Sequence, residues 1–261
     1  MTSSPPNDTV ATGSLVLAGR RTVVTGASRG IGRALAIGLA EHGADVLAVA
    51  RSEADLAETV KLAHRATGSV TAHIADLSDP DEVEAVVARA VEVLGGIDIL
   101  VNNAGTTQMG SIEQADLAGY QQVLTLNLQS CWLLCRAASD VLGEGASVIN
   151  VASMLSVVAS RSESAYIAAK HGLLGLTRAL ALEWARRGVR VNALGPGYVH
   201  TAMTDPGLVD DQYAAWVRKN TPMGRWAQPE EMVGPVVFLA SPAASFVTGQ
   251  LLVADGGWTA R

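Results

Sequence analysis

The segment RTVVTGASRGIGRALAIGLAEHG, residues 21–43, constrains the fold more than any other part of the chain. A β-branched run from Arg21 to Thr25 reads as a buried strand, and it runs into glycines at 26, 30 and 32. The residues that follow place apolar side chains at helical spacing. Strand, glycine-rich turn and helix in that order give a glycine motif its meaning as a dinucleotide site. Gly26 allows a tight turn with backbone angles that other residues avoid. Gly30 and Gly32 let a pyrophosphate approach the helix N-terminus, where free N–H groups and the helix dipole favour anions.

The same alternation continues along the chain. Further strands are predicted at 45–50, 70–74, 99–103, 146–151, 189–194 and 251–253, and helices at 53–66, 80–96, 117–142, 164–187 and from Gln228 onward. Pro229 stands in the first turn of that last helix, with Glu230 and Glu231 at the positive end of its dipole. The pattern predicts an α/β, single-domain Rossmann fold: a doubly wound, mostly parallel, seven-stranded sheet with helices on both faces. The domain is expected to span 15–261. Residues 1–14 are polar, with two prolines and neither a basic nor an apolar stretch, and are expected to be a disordered leader rather than a signal peptide. Residues 198–221 mix Pro, Gly, Met and Trp with little periodicity and are expected to form an irregular lid over a substrate.

Open α/β sheets bind ligands at the C-terminal ends of their strands. The second strand ends Ala50-Arg51-Ser52, without the carboxylate that would bind a ribose 2′-hydroxyl. Arg51, with Arg29 in the glycine turn, favours NADP over NAD. Asp76, after the third strand, is placed to receive an adenine amino group or to cap the next helix. Asn102-Asn103-Ala104-Gly105 closes the fourth strand where a cofactor would cross the sheet edge. Ser153 follows the fifth strand, and Tyr166 and Lys170 lie four apart, on one face of a helix. A phenol ordinarily titrates near ~10, and a neighbouring ammonium pulls that value down. Tyr166 is therefore a candidate general acid/base, with Ser153 hydrogen-bonding the reacting oxygen. Asn127 sits among apolar residues, which costs stability unless its amide is bonded. It marks either a helix kink or an amide placed at the catalytic face.

Only 17% of the 261 residues are charged, below the usual ~25%, so the chain is expected to bury more than its own core and to form a homo-oligomer. The net charge of −6 and the lack of a basic run argue against nucleic acid. No apolar run reaches the ~18 residues of a membrane span, and a soluble, cytoplasmic protein is expected. Cys131 and Cys135 read as small apolar residues in a buried or oligomer-facing stripe, which fits a reducing compartment. The five histidines have no metal-ligand spacing, so no catalytic metal is expected.

These motifs resemble those of the short-chain dehydrogenase/reductase family: TGASRGIG at 25–32, NNAG at 102–105, Asn127, Ser153, YIAAK at 166–170, PG at 196–197 followed by Thr201, and DGG at 255–257. The resemblance runs from about Leu17 to the C-terminus. It implies that Tyr166 passes a proton to or from the substrate oxygen while hydride moves between nicotinamide and carbon. It further implies that Lys170 binds the nicotinamide ribose, that Ser153 orients the oxygen and that Asn127 holds a relay water. Implied cofactor contacts are Gly26, Ser28, Gly30, Ile31, Asp76, Asn103, Gly105 and Thr201. The candidate cofactor wall also takes in Arg29, Gly32, Arg51, Ser52, Leu77, Ala104, Tyr166, Lys170, Pro196, Gly197 and Val199. Candidate substrate contacts are Met154, Arg161, Tyr198 and Trp216, with Arg161 able to pair with a carboxylate. Family members are commonly tetramers. ASMLS at 152–156 and PMGRWAQPEEMVGPVVFLAS at 222–241 resemble the gluconate 5-dehydrogenase and 2-dehydro-3-deoxy-gluconate 5-dehydrogenase branch. The expected substrate is thus a sugar acid or polyol; a 3-oxoacyl-carrier-protein reductase and a catalytically silent cofactor-binding regulator are the alternatives.

Overall fold

The computed structural model describes residues 16–204 and 209–260, so the expected leader at 1–14 lies outside the described residues. Seven strands form one sheet: β1 (Arg21–Thr25), β2 (Asp45–Ala50), β3 (Val70–Ile74), β4 (Ile97–Asn102), β5 (Leu142–Val151), β6 (Arg190–Pro196) and β7 (Leu251–Ala254). Their order is β3-β2-β1-β4-β5-β6-β7 and every pairing is parallel. The sheet is parallel throughout, where the sequence predicted mostly so. Strand order reverses between β1 and β4, the crevice where doubly wound sheets bind dinucleotides.

A sheet buried on both faces needs apolar strands and two helical layers. On one face, Leu35 and Leu39 of α1 (Gly30–Glu41) pack with Val236 and Leu239 of α8 (Val233–Ala240). On the other, Val83 and Val86 of α3 (Pro80–Leu94) meet Leu134 of α5 (Ser130–Ala138) and Leu180 and Trp184 of α6 (Ser164–Trp184). The remaining helices are α2 (Glu53–Leu62), α4 (Leu117–Leu124) and α7 (Asp211–Asn220). Cys131 and Cys135 are both free and buried. No helix among the described residues is long and apolar enough to cross a membrane.

Two expectations are corrected. The single helix predicted at 117–142 is α4, a π turn at Thr125–Gln129, and α5, which stops at Ala138. Leu142 already pairs with Ile97, and the ladder then shifts register to pair Ile99 with Ser147. Gly143 and Gly145, poor helix formers, sit inside this early part of β5. The segment 198–221 is not irregular throughout, because α7 occupies its second half. Asp210 caps that helix, its Oδ1 accepting the Gln212 and Tyr213 N–H groups at 3.0 Å each. Only Ala214 and Val217 of α7 are buried, which is why its periodicity is faint in the sequence.

Candidate active site

At the C-terminal ends of the strands lies one long cleft of about 630 Å³. Its near end is the β1–α1 turn. Gly26 and Gly30 take φ of +64° and +54°, the left-handed region that glycine enters freely. A Cβ on Gly32 would lie 2.1 Å from the Gly26 carbonyl oxygen, so glycine is obligatory there. The first turn of α1 carries no acidic side chain, whereas α2 and α3 carry Glu53 and Asp55, and Asp81 and Glu82. An N-terminus with free N–H groups and no carboxylate is an anion site in waiting. The turn is stapled to the end of β4. Thr25 Oγ1 accepts the N–H groups of Asn103 (2.9 Å) and Ala104 (3.0 Å), and Asn103 Nδ2 donates to Thr25 O at 2.8 Å.

Arg51 and Asp76 face each other at the ends of β2 and β3, with Arg51 Nη1 3.6 Å from Asp76 Oδ2. Two hydrogen bonds from Ser78 do most to hold the Asp76 carboxyl below its usual range, and Arg51 adds to them. Arg29 lies on the cleft wall beside them.

The other end of the cleft holds Asn127, Ser153, Tyr166 and Lys170. Ser153 leaves β5 and its Oγ accepts the Leu155 N–H at 3.1 Å, which starts a short 3-10 turn, Met154–Ser156. Helix α6 brings Tyr166 and Lys170 to the same wall and is pinned to the sheet by a buried relay of amides. Asn102 Nδ2 donates to Asn150 Oδ1 (2.8 Å), and Asn150 Nδ2 donates to Thr177 Oγ1 (2.8 Å). Lys170 is 4% exposed, and its Nζ donates to the Val151 carbonyl at 2.8 Å. It stands 5.5 Å from the Tyr166 ring centre.

The electrostatics correct the sequence argument. Burial pushes the Tyr166 phenol up to about 12, with the Ser153 hydrogen bond only partly offsetting it. Burial also pushes the Lys170 ammonium down to about 8. The expected lowering of the tyrosine by the lysine is absent: desolvation comes first and Glu163 adds to it, while Lys170 spends its hydrogen bond on β5.

Asn127 is fully buried at the π turn. Its Nδ2 donates to Thr106 O (2.8 Å) and Val123 O (2.9 Å), while Oδ1 has no partner. An unpartnered buried oxygen at a cleft wall suits a group that arrives from outside the chain. The glycine cradle, the carboxylate-free helix end and this oxygen together fit a dinucleotide laid from Arg51 to Lys170.

All the residues nominated from the sequence for catalysis and cofactor contact line this one cleft, and the four substrate candidates do not. Met154 is buried, and Arg161 is exposed in the turn before α6. Tyr198 lines a smaller neighbouring cavity of about 170 Å³. Trp216 stacks on Tyr213 at 5.8 Å and meets Trp258 edge-on at 5.4 Å. Ala202, Met203 and Thr204 form part of the cleft wall in their place. Thr204 sets that turn: its Oγ1 accepts the Thr201 N–H (3.0 Å) and donates to Val199 O (2.6 Å). The Thr-x-x-Thr spacing was the available signal, as was Thr25 at the end of the first strand.

Comparison with known proteins agrees with this geometry. Residues 26–259 match a family model described as enoyl-(acyl carrier protein) reductase. The chain is 39% identical to 2-dehydro-3-deoxy-D-gluconate 5-dehydrogenase of Escherichia coli, over 94% of this chain and 97% of that protein. It is 41% identical to cis-4-hydroxycyclohexanecarboxylate dehydrogenase of Sinomonas cyclohexanicum, over 92% and 97%. A crystal structure from Beutenbergia cavernae, provisionally named an NAD(P)-dependent gluconate 5-dehydrogenase and holding NADP at low occupancy, superposes with a TM-score of 0.90 at 47% identity. That match covers 95% of this chain and 100% of that one. Strand order, the shared cleft and these relatives agree: the chain belongs to the short-chain dehydrogenase/reductase family.

Proposed function

We propose that the protein is an NAD(P)-dependent dehydrogenase that interconverts a secondary alcohol and a ketone on a sugar acid or polyol, with NADP as the preferred cofactor. The observation that carries this reading is the cleft itself, which has an anion-ready glycine turn at one end and Ser153, Tyr166 and Lys170 at the other. Relatives named for gluconate, for 2-dehydro-3-deoxy-D-gluconate and for a hydroxycyclohexane carboxylate support an alcohol carried on an organic acid. NADP in the Beutenbergia structure, with Arg29 and Arg51 on the cleft wall here, supports the cofactor preference.

In this reading the glycine turn and the N-terminus of α1 hold the pyrophosphate, Arg51 and Arg29 the ribose phosphate, and Lys170 the nicotinamide ribose. The bound nicotinamide supplies or accepts the hydride. In oxidation Tyr166 Oη takes the proton from the substrate hydroxyl, and in reduction it returns a proton to the carbonyl oxygen. The Ser153 hydroxyl orients that oxygen, and Asn127 anchors a water that restores the proton to Tyr166. The segment 198–221, with α7 in it, acts as the lid, and Met154, Arg161, Tyr198 and Trp216 approach the substrate as it closes. A cytoplasmic homotetramer is the expected working form. A 3-oxoacyl-carrier-protein reductase is the weaker alternative, since the named relatives act on small organic acids and the net charge of −6 would repel an acidic carrier. A silent regulator would have no need of all four catalytic positions.

The test is Tyr166→Phe. With NAD+ and NADP+ offered separately against gluconate, other sugar acids, polyols and simple secondary alcohols, the variant should lose turnover by about 10²–10⁴-fold while binding cofactor as before. Wild-type turnover in the variant would dismiss the mechanism. A wild-type protein that binds cofactor and reduces it with no alcohol would favour the regulator.

A further inference from the structure

The helix beneath the cleft contains a defect that three side chains hold in place. In the π turn Thr125–Gln129 the Ser130 N–H reaches back five residues to Thr125 O. Such a turn carries backbone donors past the acceptors they would meet in an α-helix, and π turns recur at functional sites. Three side chains add bonds here, each to the carbonyl four residues back. Asn127 Nδ2 donates to Val123 O (2.9 Å), Ser130 Oγ to Leu126 O (2.7 Å) and Cys131 Sγ to Asn127 O (3.6 Å). These three donor residues are 0%, 1% and 2% exposed.

The inference rests on the reading of Asn127 as the relay amide. We infer that Ser130 and Cys131 are positioning residues: their hydroxyl and thiol clamp the π turn and so fix the Asn127 side chain and carbonyl at the cleft wall. Side-chain bonds of this kind slightly destabilise and bend helices, so they add nothing to a helix that serves packing alone. The tolerance at Asn127 is tight, because a Cβ on Gly105 would lie 2.6 Å from Asn127 Oδ1. Burial pushes the Cys131 thiol up, which keeps it an S–H donor at working pH, and the Lys170 ammonium acts on it electrostatically.

The experiment compares Ser130→Ala, Cys131→Ala and their double variant with Ser130→Thr and Cys131→Ser, which keep a donor. Readouts are hydrogen exchange of peptides spanning 117–138, NADP+ affinity, and the pH profile of kcat on the alcohol that the wild type oxidises fastest in the panel above. Expected for the double variant are exchange at 125–131 faster by about tenfold, kcat lower by about tenfold with a displaced acid limb, and NADP+ affinity within about twofold. The donor-keeping variants should stay within about threefold of wild type. Should the double variant not fold, the two single alanine variants report the same quantities at smaller amplitude. Wild-type kcat and exchange without the donors would overturn the inference, as would equal losses with and without a donor, which would mark a packing effect. Asn127→Ala separates the two levels: if it keeps full turnover, the relay reading fails, whereas an inactive Asn127→Ala beside an active double variant overturns the clamp alone.

Discussion

Replacing Arg51 by serine should convert a cofactor preference into a measured free energy. The Arg51 side chain is 66% exposed and lies 3.6 Å from an Asp76 carboxylate that is 38% exposed. A solvated pair of this kind contributes about 0–1 kcal/mol, so its loss leaves the fold intact. Against a 2′-phosphate the same guanidinium makes charge-assisted hydrogen bonds worth about 1.5–3 kcal/mol. Affinity for NADP+ should therefore drop by about 10- to 150-fold. NAD+ has a neutral hydroxyl in place of that phosphate and should bind within about threefold of wild type. Asp76 sharpens the expectation: a carboxylate held below its usual range stays charged, so without Arg51 the phosphate meets an uncompensated negative charge. The assay is a pair of titrations, NADP+ and NAD+, followed by quenching of tryptophan fluorescence at two ionic strengths. The loss for NADP+ should shrink at the higher one. Equal losses for the two cofactors, or none for NADP+, would show that the ribose phosphate is bound elsewhere.

Three further outcomes are expected. Thr25→Val keeps the shape but removes the acceptor for the Asn103 and Ala104 N–H groups. At about 1–3 kcal/mol for each of the two orphaned donors, urea unfolding should show ~2–6 kcal/mol lost at constant m-value, and a loss below ~1 kcal/mol would refute the staple. Gly32→Ala pushes a methyl to 2.1 Å from Gly26 O and 2.4 Å from Asn103 Nδ2, so both cofactors should bind at least about tenfold more weakly; wild-type affinity would contradict the cradle. Lys170, pushed down to about 8 from 10.5, leaves the unfolded chain holding more protons between those values. Its contribution to stability should thus be missing below about pH 8 and grow as pH rises through that window, and a pH-independent difference between wild type and Lys170→Met would rule this out.

The sequence disclosed the architecture because a parallel sheet leaves blunt marks. Strands such as DVLAVA, buried on both faces, stand out as continuous apolar runs, and the glycine turn follows the first of them immediately. The wall of the cleft was equally legible, since strand ends define it and strand ends are easy to find. Two things were hidden for physical reasons. A π turn shifts helical phase by a fraction of a turn, less than the noise in apolar spacing, so 117–142 read as one helix. Side chains on the connections take positions that depend on tertiary contacts. Tyr198 and Trp216 are held in an aromatic cluster with Tyr213, Trp226 and Trp258, and no spacing rule foretells such packing.

The tyrosine–lysine pair shows how a motif can bring two side chains to one cleft while its electrostatics mislead. Four-residue spacing promised an ammonium beside a phenol, and in open solvent that juxtaposition would lower the phenol. The fold buries Lys170 and partly buries Tyr166 instead, and burial penalises whichever form is charged. Each group is therefore driven towards neutrality, the phenol up to about 12 and the ammonium down to about 8. A phenol near 12 stays protonated at neutral pH and so carries the proton that reduction requires. It can act as a base only once positive charge enters the cleft and lowers it. Lys170 supplies little of that charge on its own, since its ammonium is already committed to the Val151 carbonyl. Under the proposed function, acid–base competence is thus conditional: occupancy of the cleft sets the tyrosine to its task. Tyr166 and Lys170 line the same cleft as the glycine turn, so hydride transfer and proton transfer share one space.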